Sequence, residues 1–571
     1  MLISQFKTVH TLATSYATSL RQCVEVSNLR KVAAIHAKLV KTSEPTPDSV
    51  FIYNHLVNAY VKSGDVWNGI KLFDEMPEKN VATWTVLIAG LAQKGFPNEA
   101  ISLFPDMHRS EIRPNEFTFV SLLHACSSSG SLDLTCAFQV YALIIRLGFE
   151  SNVYLANAFL TSLIRHGRLD EAIKVFNGSY HKDVVSWNAM LDGLLKFSCD
   201  DIPRFWHQMM TEGIKPDEFT FATILTGLAE LSYLEMGSRV HALVVKSGHG
   251  RERCLGNALT DMYLKSHKLD HAFRAFDEIP VKDVYSWTQM AAGCLNCGEL
   301  AETLRVFNEM RKVGVRPNRF TFTTGLNACA SLARLDEGKK IQGLTVKIRE
   351  EVDMCVDNAL LDMYAKCGCM DGASRVFRSM TQRSVVSWTT MIGGFAQNGH
   401  CEKALEIFQQ MRLEKAEPNY ITFICVLYAC SQGGFIEKGI EYFSCMRDEY
   451  GIDPGEDHYA CMVNLFGRAG RIEEAEKWIL EMPFEPGVIV WQTLLGACRM
   501  HGDVRTAKRA AEKAFHIDEK DPSTYVLLSN MFADFKNWKS AGKVRKRIVH
   551  MDIKKMPGSS WLEVTKGHSD V

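Results

Sequence analysis

Two groupings of residues in this chain have the side-chain types that hold a catalytic zinc ion. His400 and Glu402 form a His-x-Glu sequence, and Cys294 and Cys297 form a Cys-x-x-Cys sequence. In the hydrolytic deamination of a base, His and two Cys hold the zinc, whose bound water attacks the ring while the Glu moves the proton. That chemistry places the cysteine pair after the histidine, whereas here the pair lies before it. We therefore predict no catalytic residue, no metal site and no cofactor, and we do not expect an enzyme.

The elements that would have to position such residues follow a long repeat. Trp84, Trp187, Trp287, Trp388 and Trp491 recur about every 100 residues, each at the end of a Val-x-x-Trp sequence. A period of this length, kept over most of the chain, indicates an array of units rather than one globular core.

Each period divides into three units of about 35, 35 and 31 residues, with small length changes. After the unit that begins at Val81, the next two begin at Glu116 and Val153. Within a unit the apolar residues have helical spacing and break once near the middle, as at Asn398 and Gly399. Two such short helices bury little alone, so stacking has to supply the core. We predict an all-α fold, a right-handed superhelical solenoid of stacked helix-turn-helix repeats with a long concave groove.

Composition and charge restrict the class of function. The chain has 571 residues, of which 46% are apolar and 23% charged, which is ample material for a buried core. No apolar run approaches the roughly 18 residues of a membrane helix, so no membrane partner is expected. The formal net charge is −1, whereas proteins that bind duplex DNA through its phosphates are normally basic. This charge still allows a groove that reads the bases of a single strand through polar side chains.

The 17 cysteines do not indicate reactivity. Cys23, Cys126, Cys329, Cys430 and Cys498 all stand at the eleventh position of their units, where a helix needs a small buried residue. We predict that these cysteines pack in the core, in a reducing compartment.

Three sequences carry a family resemblance: EFTFVSLLHAC at 116–126, NALLDMYAKCG at 358–368 and MPGSSWLEV at 556–564. With the triplets of units, they make the chain similar to plant pentatricopeptide-repeat proteins of the P-L-S class, E subgroup, lacking the C-terminal deaminase domain. P, L and S denote the three successive units of a triplet.

The resemblance implies a division of the chain into four parts. They are a candidate targeting segment over 1–12, about fourteen repeats in P-L-S triplets over 13–487, two tetratricopeptide-like extension repeats over 488–564, and a short tail over 565–571.

The resemblance also implies sequence-specific binding of single-stranded organellar RNA, with one base per repeat. In P-type and S-type units, the fifth residue and the last residue set the base. The fifth residue projects into the groove, where a hydroxyl or carboxamide meets a base edge, and the last residue supplies or removes a second hydrogen bond. Bulky apolar residues beside the fifth position are expected to sandwich the base.

Eight pairs of RNA-binding residues follow from this resemblance. The P-type pairs, for bases A, U, A and A, are Thr85 with Asn115, Asn188 with Asp217, Thr288 with Asn318, and Thr389 with Asn419. The S-type pairs, for bases C, U, U and C, are Asn54 with Asn80, Asn157 with Asp183, Asn257 with Asp283, and Asn358 with Ser384. Read 5′ to 3′ from the unit of Asn54, the predicted target is C-A-n-U-U-n-U-A-n-C-A, followed by unread bases.

Other units are left without a base. The L-type units carry Val120, Ala222, Thr323 and Ile424 at the fifth position. The final S-like unit carries Ala460 and Gly487, which offer no base-reading side chain. For each single pair, helix capping is an alternative interpretation, because Asn, Asp, Ser and Thr are also favoured at helix starts. Eight pairs in repeat phase favour base reading.

The resemblance points to a site-recognition factor for C-to-U RNA editing. The sequence ends seven residues after SWLEV, where a deaminase domain would otherwise begin. A deaminase-bearing pentatricopeptide-repeat protein is expected to act in trans, docked on the extension repeats. Multiple organellar RNA-editing factor proteins are expected on the L-type units.

Two other classes of function stay open. One is a non-editing organellar RNA-binding factor, active in transcript stabilisation, splicing or translation. The other is a protein-binding helical scaffold. The polar pairs count against a scaffold, whose groove should vary freely at those positions.

The first residues suit an organellar transit peptide. Residues 1–24 contain no Asp or Glu and many Ser and Thr. Only about twelve residues precede the first unit, so targeting overlaps that unit or the sequence starts after its true beginning. We expect a mitochondrial protein, with the chloroplast as the alternative.

Overall fold

The computed structural model describes residues 15–24, 28–42, 49–128, 134–179, 181–250, 252–348 and 353–550. These residues form two compact units, divided between Pro280 and Val281. Within the described ranges the regular structure is entirely helical. The predicted all-α solenoid of stacked helix-turn-helix repeats is confirmed.

The first unit begins with a helical stretch over 15–24 and continues with helices α1 to α15. Their bounds are α1 Leu29–Thr42, α2 Ser49–Lys62, α3 Val66–Glu75, α4 Val81–Gln93, α5 Pro97–Arg109, α6 Glu116–Ser128, α7 Thr135–Arg146, α8 Val153–Arg165, α9 Leu169–Gly178, α10 Val184–Phe197, α11 Ile202–Thr211, α12 Glu218–Glu230, α13 Leu234–Lys246, α14 Arg253–Lys265 and α15 Leu269–Glu278.

The second unit contains helices α16 to α31. Their bounds are α16 Val284–Asn296, α17 Leu300–Lys312, α18 Arg319–Ser331, α19 Leu335–Ile348, α20 Met354–Lys366, α21 Met370–Ser379, α22 Val385–Gln397, α23 Cys401–Leu413, α24 Tyr420–Gly433, α25 Ile436–Asp448, α26 Glu456–Arg468, α27 Ile472–Leu480, α28 Val488–His501, α29 Val504–Ile517, α30 Pro522–Asp534 and α31 Trp538–His550.

The break inside a repeat is a glycine turn. After α22 ends at Gln397, Asn398 closes the helix and Gly399 has a φ of 79°, in the left-handed region that suits glycine. The next helix then begins at Cys401. This turn lies at the break that the sequence predicted, and it reverses the chain so that the two helices of a repeat pack antiparallel.

Stacking runs through the first helices of the repeats. In the first unit, α4 packs against its own partner α5 and against α6, the first helix of the next repeat. In the second unit, α22 packs in the same way against α23 and α24. First helices are therefore covered on several sides, and the apolar core of the second unit runs continuously from Leu304 to Ala541.

Four of the five periodic tryptophans lie where a P-type unit follows an S-type unit, and Trp491 lies where the proposed extension follows the final S-like repeat. Trp187 and Trp388 are buried, and each meets the edge of a phenylalanine from the preceding unit. The ring centroids are 4.7 Å apart for Phe176 and Trp187 and 4.9 Å apart for Phe377 and Trp388. Because one junction of this kind occurs in each triplet, the tryptophan spacing equals the length of a triplet.

The five cysteines at the eleventh position are all buried, as predicted: Cys23, Cys126, Cys329, Cys430 and Cys498. Burial raises the pKa of Cys329, Cys430 and Cys498 to about 12. These three thiols therefore stay protonated at neutral pH and act as small apolar side chains.

Candidate nucleic-acid interface

The eight last residues of the predicted pairs each stand directly before the first helix of the following repeat. Six of them, Asn80, Asp183, Asp217, Asn318, Ser384 and Asn419, close a capping box with the third residue of that helix. Asn115 and Asp283 also accept the backbone N–H of the third residue, at 2.9 Å each. The last position of a repeat is therefore an N-cap of the next repeat, which is the alternative interpretation that the sequence left open.

The same side chains contact the predicted fifth residues. The Asn188 amide donates to both carboxylate oxygens of Asp217 at 3.1 Å, and the Asn157 amide donates to Asp183 at 3.1 Å. Two longer contacts join Asn54 to Asn80 at 3.4 Å and Asn358 to Ser384 at 3.5 Å. Capping and pairing thus occur together in these four repeats.

In the pairs that begin with threonine, a third residue connects the two. The Thr85 hydroxyl lies 2.7 Å from the hydroxyl of Thr118, which donates to Asn115 at 2.9 Å. Thr321 connects Thr288 with Asn318, and Thr422 connects Thr389 with Asn419, at the same distances.

The sequence prediction did not include the hydroxyls at the third position of the first helix after each pair. All eight are buried: Thr83, Thr118, Ser186, Thr220, Ser286, Thr321, Ser387 and Thr422. Five of them contact the fifth residue as well as the last residue of the pair: Thr118, Thr220, Thr321, Ser387 and Thr422. Their signal is in the sequence, because a Ser or Thr three residues after an N-cap completes a reciprocal cap.

One predicted pair divides between the two compact units. Asn257 lies on α14 of the first unit, where its Oδ1 is buried. Asp283 directly precedes α16 of the second unit and caps that helix by accepting the Ser286 N–H.

The acidic partners carry a charge at neutral pH. Burial alone would raise the pKa of Asp217, but hydrogen bonds from the Thr220 N–H, the Asn188 amide and the Thr220 hydroxyl lower it below its ordinary value. Asp183 shows the same balance with Ser186 and Asn157. Both carboxylates therefore present acceptors only.

Three S-type fifth residues keep an unused acceptor. Asn54, Asn157 and Asn257 each have a buried side-chain Oδ1 without a hydrogen-bond partner. In contrast, the Oδ1 atoms of Asn188 and Asn358 accept the hydroxyls of Thr220 and Ser387. A buried oxygen without a partner is costly, so the fold leaves an unsatisfied acceptor at these three positions.

Apolar side chains project beside the fifth positions. In P-type and S-type repeats, exposed examples at the second residue are Phe51, Tyr154, Val185, Tyr285 and Val386. The L-type repeats carry Phe117, Phe219, Phe320 and Ile421 there, also exposed. Residues three apart share one face of a helix, so these side chains lie beside the fifth residues. They fit the description of the bulky flanking residues that the sequence predicted without assigning them, and their stacking on a base stays a prediction.

The unassigned fifth residues of the L-type repeats lie half-buried on first helices: Val120 on α6, Ala222 on α12, Thr323 on α18 and Ile424 on α24. The Thr323 hydroxyl donates to the Arg319 carbonyl within its own helix, at 2.8 Å. In the final S-like repeat, Ala460 lies on α26 and Gly487 precedes α28.

The residues of the two zinc-like groupings lie on different helices. Cys294 lies on α16 and Cys297 just after it, whereas His400 precedes α23, the helix that contains Glu402. Within the described ranges, no cluster of three or more His, Cys, Asp and Glu side chains is arranged to hold a metal ion. No helix in those ranges has the length and apolarity to cross a membrane.

Models of known families match the chain in the same phase as its repeats. The PPR repeat family matches residues 79–128, 182–230, 282–331 and 383–432. The PPR repeat matches residues 51–81, 154–178, 358–385, 421–450 and 457–485. The E motif matches residues 501–563.

Curated relatives from Arabidopsis thaliana cover nearly the whole chain. A pentatricopeptide repeat-containing protein is 34% identical, covering 97% of this chain and 89% of its own. A chloroplastic one is 33% identical over 98% of this chain and 69% of its own, and a mitochondrial one is 33% identical over 96% and 72%.

Solved structures share the architecture. The crystal structure of the pentatricopeptide repeat protein PPR10 from maize has a TM-score of 0.59 and 19% identity, covering 95% of this chain and 85% of its own. A structure of PPR10 in complex with an 18-nt psaJ RNA element has a TM-score of 0.58 and 18% identity, covering 95% and 84%. At these identities the likeness shows a common fold.

Proposed function

This chain belongs to the pentatricopeptide-repeat family, and we propose that it binds single-stranded RNA of a plant organelle in a sequence-specific way. In this proposal it is the site-recognition factor for C-to-U RNA editing, with the deaminase supplied in trans. The observation that carries RNA reading is the recurrence of paired polar side chains at the junctions of repeats, as in Asn188 and Asp217. The E motif match over 501–563 supports the editing role, because the resemblance to the E subgroup is what points to an editing factor.

The pairs have the chemistry of base recognition. A single-stranded base exposes its hydrogen-bonding edge and its ring faces. The paired Asn, Asp, Thr and Ser side chains meet the edge, while the exposed apolar residues, such as Tyr154 and Tyr285, stack on the faces. With a formal net charge of −1, the protein depends on these contacts more than on general attraction to phosphates.

The division of the chain into repeats over 13–487 and extension repeats over 488–564 belongs to this proposal. Helices α28 to α31 are two helix pairs within the proposed extension, and residues 551–564 lie outside the described ranges. The proposed targeting segment over 1–12 also lies outside them. We propose a mitochondrial location, and relatives named as mitochondrial and as chloroplastic support an organelle of either kind.

The partners follow from the same role. A deaminase-bearing pentatricopeptide-repeat protein docks on the extension repeats and acts on a cytidine a few nucleotides 3′ of the base under the final S-like repeat. Multiple organellar RNA-editing factor proteins contact the L-type repeats. No catalytic residue of this chain takes part in the proposal.

The editing role is tested by sequencing mitochondrial and plastid cDNA from a line that lacks this protein, beside its parent. Loss of C-to-U conversion at one or a few sites, preceded by sequence matching C-A-n-U-U-n-U-A-n-C-A, supports the proposal and names the organelle. Unchanged editing with a lost, mis-spliced or shortened transcript would replace editing with a non-editing RNA-binding role.

A direct measurement of RNA binding distinguishes sequence-specific RNA recognition from a role as a protein-binding scaffold. The purified protein is titrated with a labelled single-stranded RNA of the predicted sequence and with a second RNA in which A and U are exchanged at the assigned positions. We expect tighter binding to the first RNA. Equal or absent binding to both would favour a protein-binding scaffold.

A further inference from the structure

The final S-like repeat, α26 and α27 with the start of α28, holds a carboxylate where other repeats hold a base-reading side chain. Glu456 is the first residue of α26, and Ala460 follows it by one helical turn on the same face. A methyl group placed on Gly487 would lie 2.2 Å from Glu456 Oε1 and 2.6 Å from Oε2. The Glu456 carboxylate therefore fills the space that a last-residue side chain would occupy.

The Glu456 carboxylate also has an unused acceptor. Its Oε1 is buried and has no hydrogen-bond partner, as do the Oδ1 atoms of Asn54 and Asn157 at the fifth positions of two S-type repeats. Gly487 directly precedes α28 and gives it no side-chain cap, so the N-terminus of α28 attracts a nearby negative charge and favours this placement. The final repeat thus keeps an unsatisfied buried oxygen of the same kind, supplied by a different residue.

Two neighbouring residues fix the start of α26. His458 is fully buried, accepts the Gly455 N–H on Nδ1 at 3.2 Å and donates from Nε2 to the Tyr420 carbonyl at 3.0 Å. Burial lowers the pKa of His458, which favours this neutral form with one donor and one acceptor. Because His458 is two residues after Glu456, these bonds hold the backbone that carries the carboxylate.

We propose that Glu456 reads the base at the final S-like repeat, in place of Ala460 and Gly487, and selects guanine over uracil. This inference rests on the proposed RNA-binding function. A carboxylate only accepts hydrogen bonds, and guanine offers two adjacent donors on its Watson–Crick edge, N1–H and the N2 amine. Uracil offers a single N–H between two carbonyl oxygens, which repel the carboxylate. Adenine and cytosine offer one amine beside a ring acceptor and rank between them.

The base in question is the thirteenth, counted from the one under the repeat of Asn54. Four labelled RNAs carry the predicted sequence at positions 1 to 11 and differ only in G, A, C or U at position 13. Their dissociation constants are measured by fluorescence anisotropy with the full chain. Because guanine offers two donors to the carboxylate and uracil offers one, we expect guanine to bind about tenfold more tightly than uracil, a difference of about 1.4 kcal/mol.

Three variants locate the effect. Glu456→Gln keeps the size of the side chain but adds donors, so the preference for guanine should disappear. Gly487→Ala displaces the carboxylate and should have the same effect, and the backbone there tolerates alanine because its φ is −78°. Asp457→Asn removes the same charge from the next, exposed residue and should leave the preference unchanged. Circular dichroism melting checks that each variant is folded.

The outcomes separate this inference from the function on which it rests. If the wild-type protein binds the four RNAs tightly and equally, or if Glu456→Gln keeps the preference, Glu456 does not read the base. If Asp457→Asn abolishes the preference as well, a general charge effect replaces the proposed contact. If none of the RNAs binds and a randomised RNA pool yields no ligand, the RNA-binding function itself is wrong.

Discussion

The side-chain amide of Asn188 lies 3.1 Å from each carboxylate oxygen of Asp217, across the junction of two repeats. One of these oxygens also accepts the Thr220 N–H at 2.9 Å and so caps α12. The fold therefore orders this proposed base-reading pair before any ligand arrives. Ordering in advance reduces the entropy that binding has to remove, which favours tight and selective recognition.

Asp217→Asn should change the base preference without a large change in stability. Asn caps a helix about as well as Asp, and its amide replaces an acceptor with a donor. By the pattern of the family, the base at this repeat then changes from U to C. We expect about tenfold tighter binding to the RNA with C at position 5 than to the RNA with U.

The measurement for Asp217→Asn is fluorescence anisotropy with two RNAs that differ only at position 5. Asp503→Asn is the matched control, because Asp503 caps α29 and lies outside the eight predicted pairs. An unchanged preference for U in Asp217→Asn would mean that Asp217 caps the helix without reading the base.

Thr220→Val should destabilise the first unit. The Thr220 side chain is fully buried, and its hydroxyl lies 2.7 Å from Asn188 Oδ1 and 2.8 Å from Asp217 Oδ1. Valine has the same shape but leaves these oxygens short of a donor. We expect a loss of about 1–3 kcal/mol in the free energy of unfolding, measured by urea denaturation. Thr223→Val, on the same helix, is the control, because the Thr223 hydroxyl donates to the Phe219 carbonyl within the helix. Equal losses of stability in both variants would contradict the role given to Thr220.

Stability should fall in acid because of the capping carboxylates. The pKa values of Asp183 and Asp217 are lowered in the fold, so their stabilisation is present above the unfolded pKa of about 3.9 and is lost as the pH falls through the lower folded values. Thermal melting from pH 6 to pH 3 should show a steeper loss in the wild type than in a variant with Asn at both positions. Parallel curves for the two proteins would show that these carboxyls do not couple folding to pH.

Tyr285→Ala should weaken RNA binding while leaving the fold intact. Tyr285 is 62% exposed and lies one helical turn before Thr288, where it can cover a ring face. Stacking on an aromatic side chain is worth about 1–3 kcal/mol per base, so we expect dissociation constants about five- to 150-fold higher. Tyr233→Ala is the control, since this exposed tyrosine precedes a second helix, α13. Similar losses in both variants would argue against stacking at the second position.

Much of the fold could be predicted because it repeats. Spacing of apolar residues gave the helix pairs, and the turn at Asn398 and Gly399 lies where the pattern broke. The cysteines at the eleventh position are buried for the same reason, since each repeat places that position in its core. In a periodic structure the same position is buried or exposed in every repeat, so a residue preference that is weak in one repeat becomes clear over many.

The site was less predictable because it forms between repeats. Capping and base reading looked like alternatives in the sequence, yet Asp217 caps α12 and holds Asn188 with one carboxylate. The position of the Glu456 carboxylate could not be predicted from the sequence, because it reaches Gly487 only when two repeats are stacked. Counting pair positions along the chain leaves the final S-like repeat without a polar side chain at either position. In the packed structure, the Glu456 carboxylate lies beside Gly487.

The capping role of the last residue limits the residue types that evolution can use at that position. Only Asn, Asp, Ser, Thr and Gly start helices well, so a lysine or glutamine with a useful base preference would cost the next repeat its first turn. Substitutions that change the proposed base preference of one repeat are therefore restricted to a small set of polar residues. Where glycine takes the position, as at Gly487, the helix still starts, and in our proposal the neighbouring Glu456 supplies the base contact.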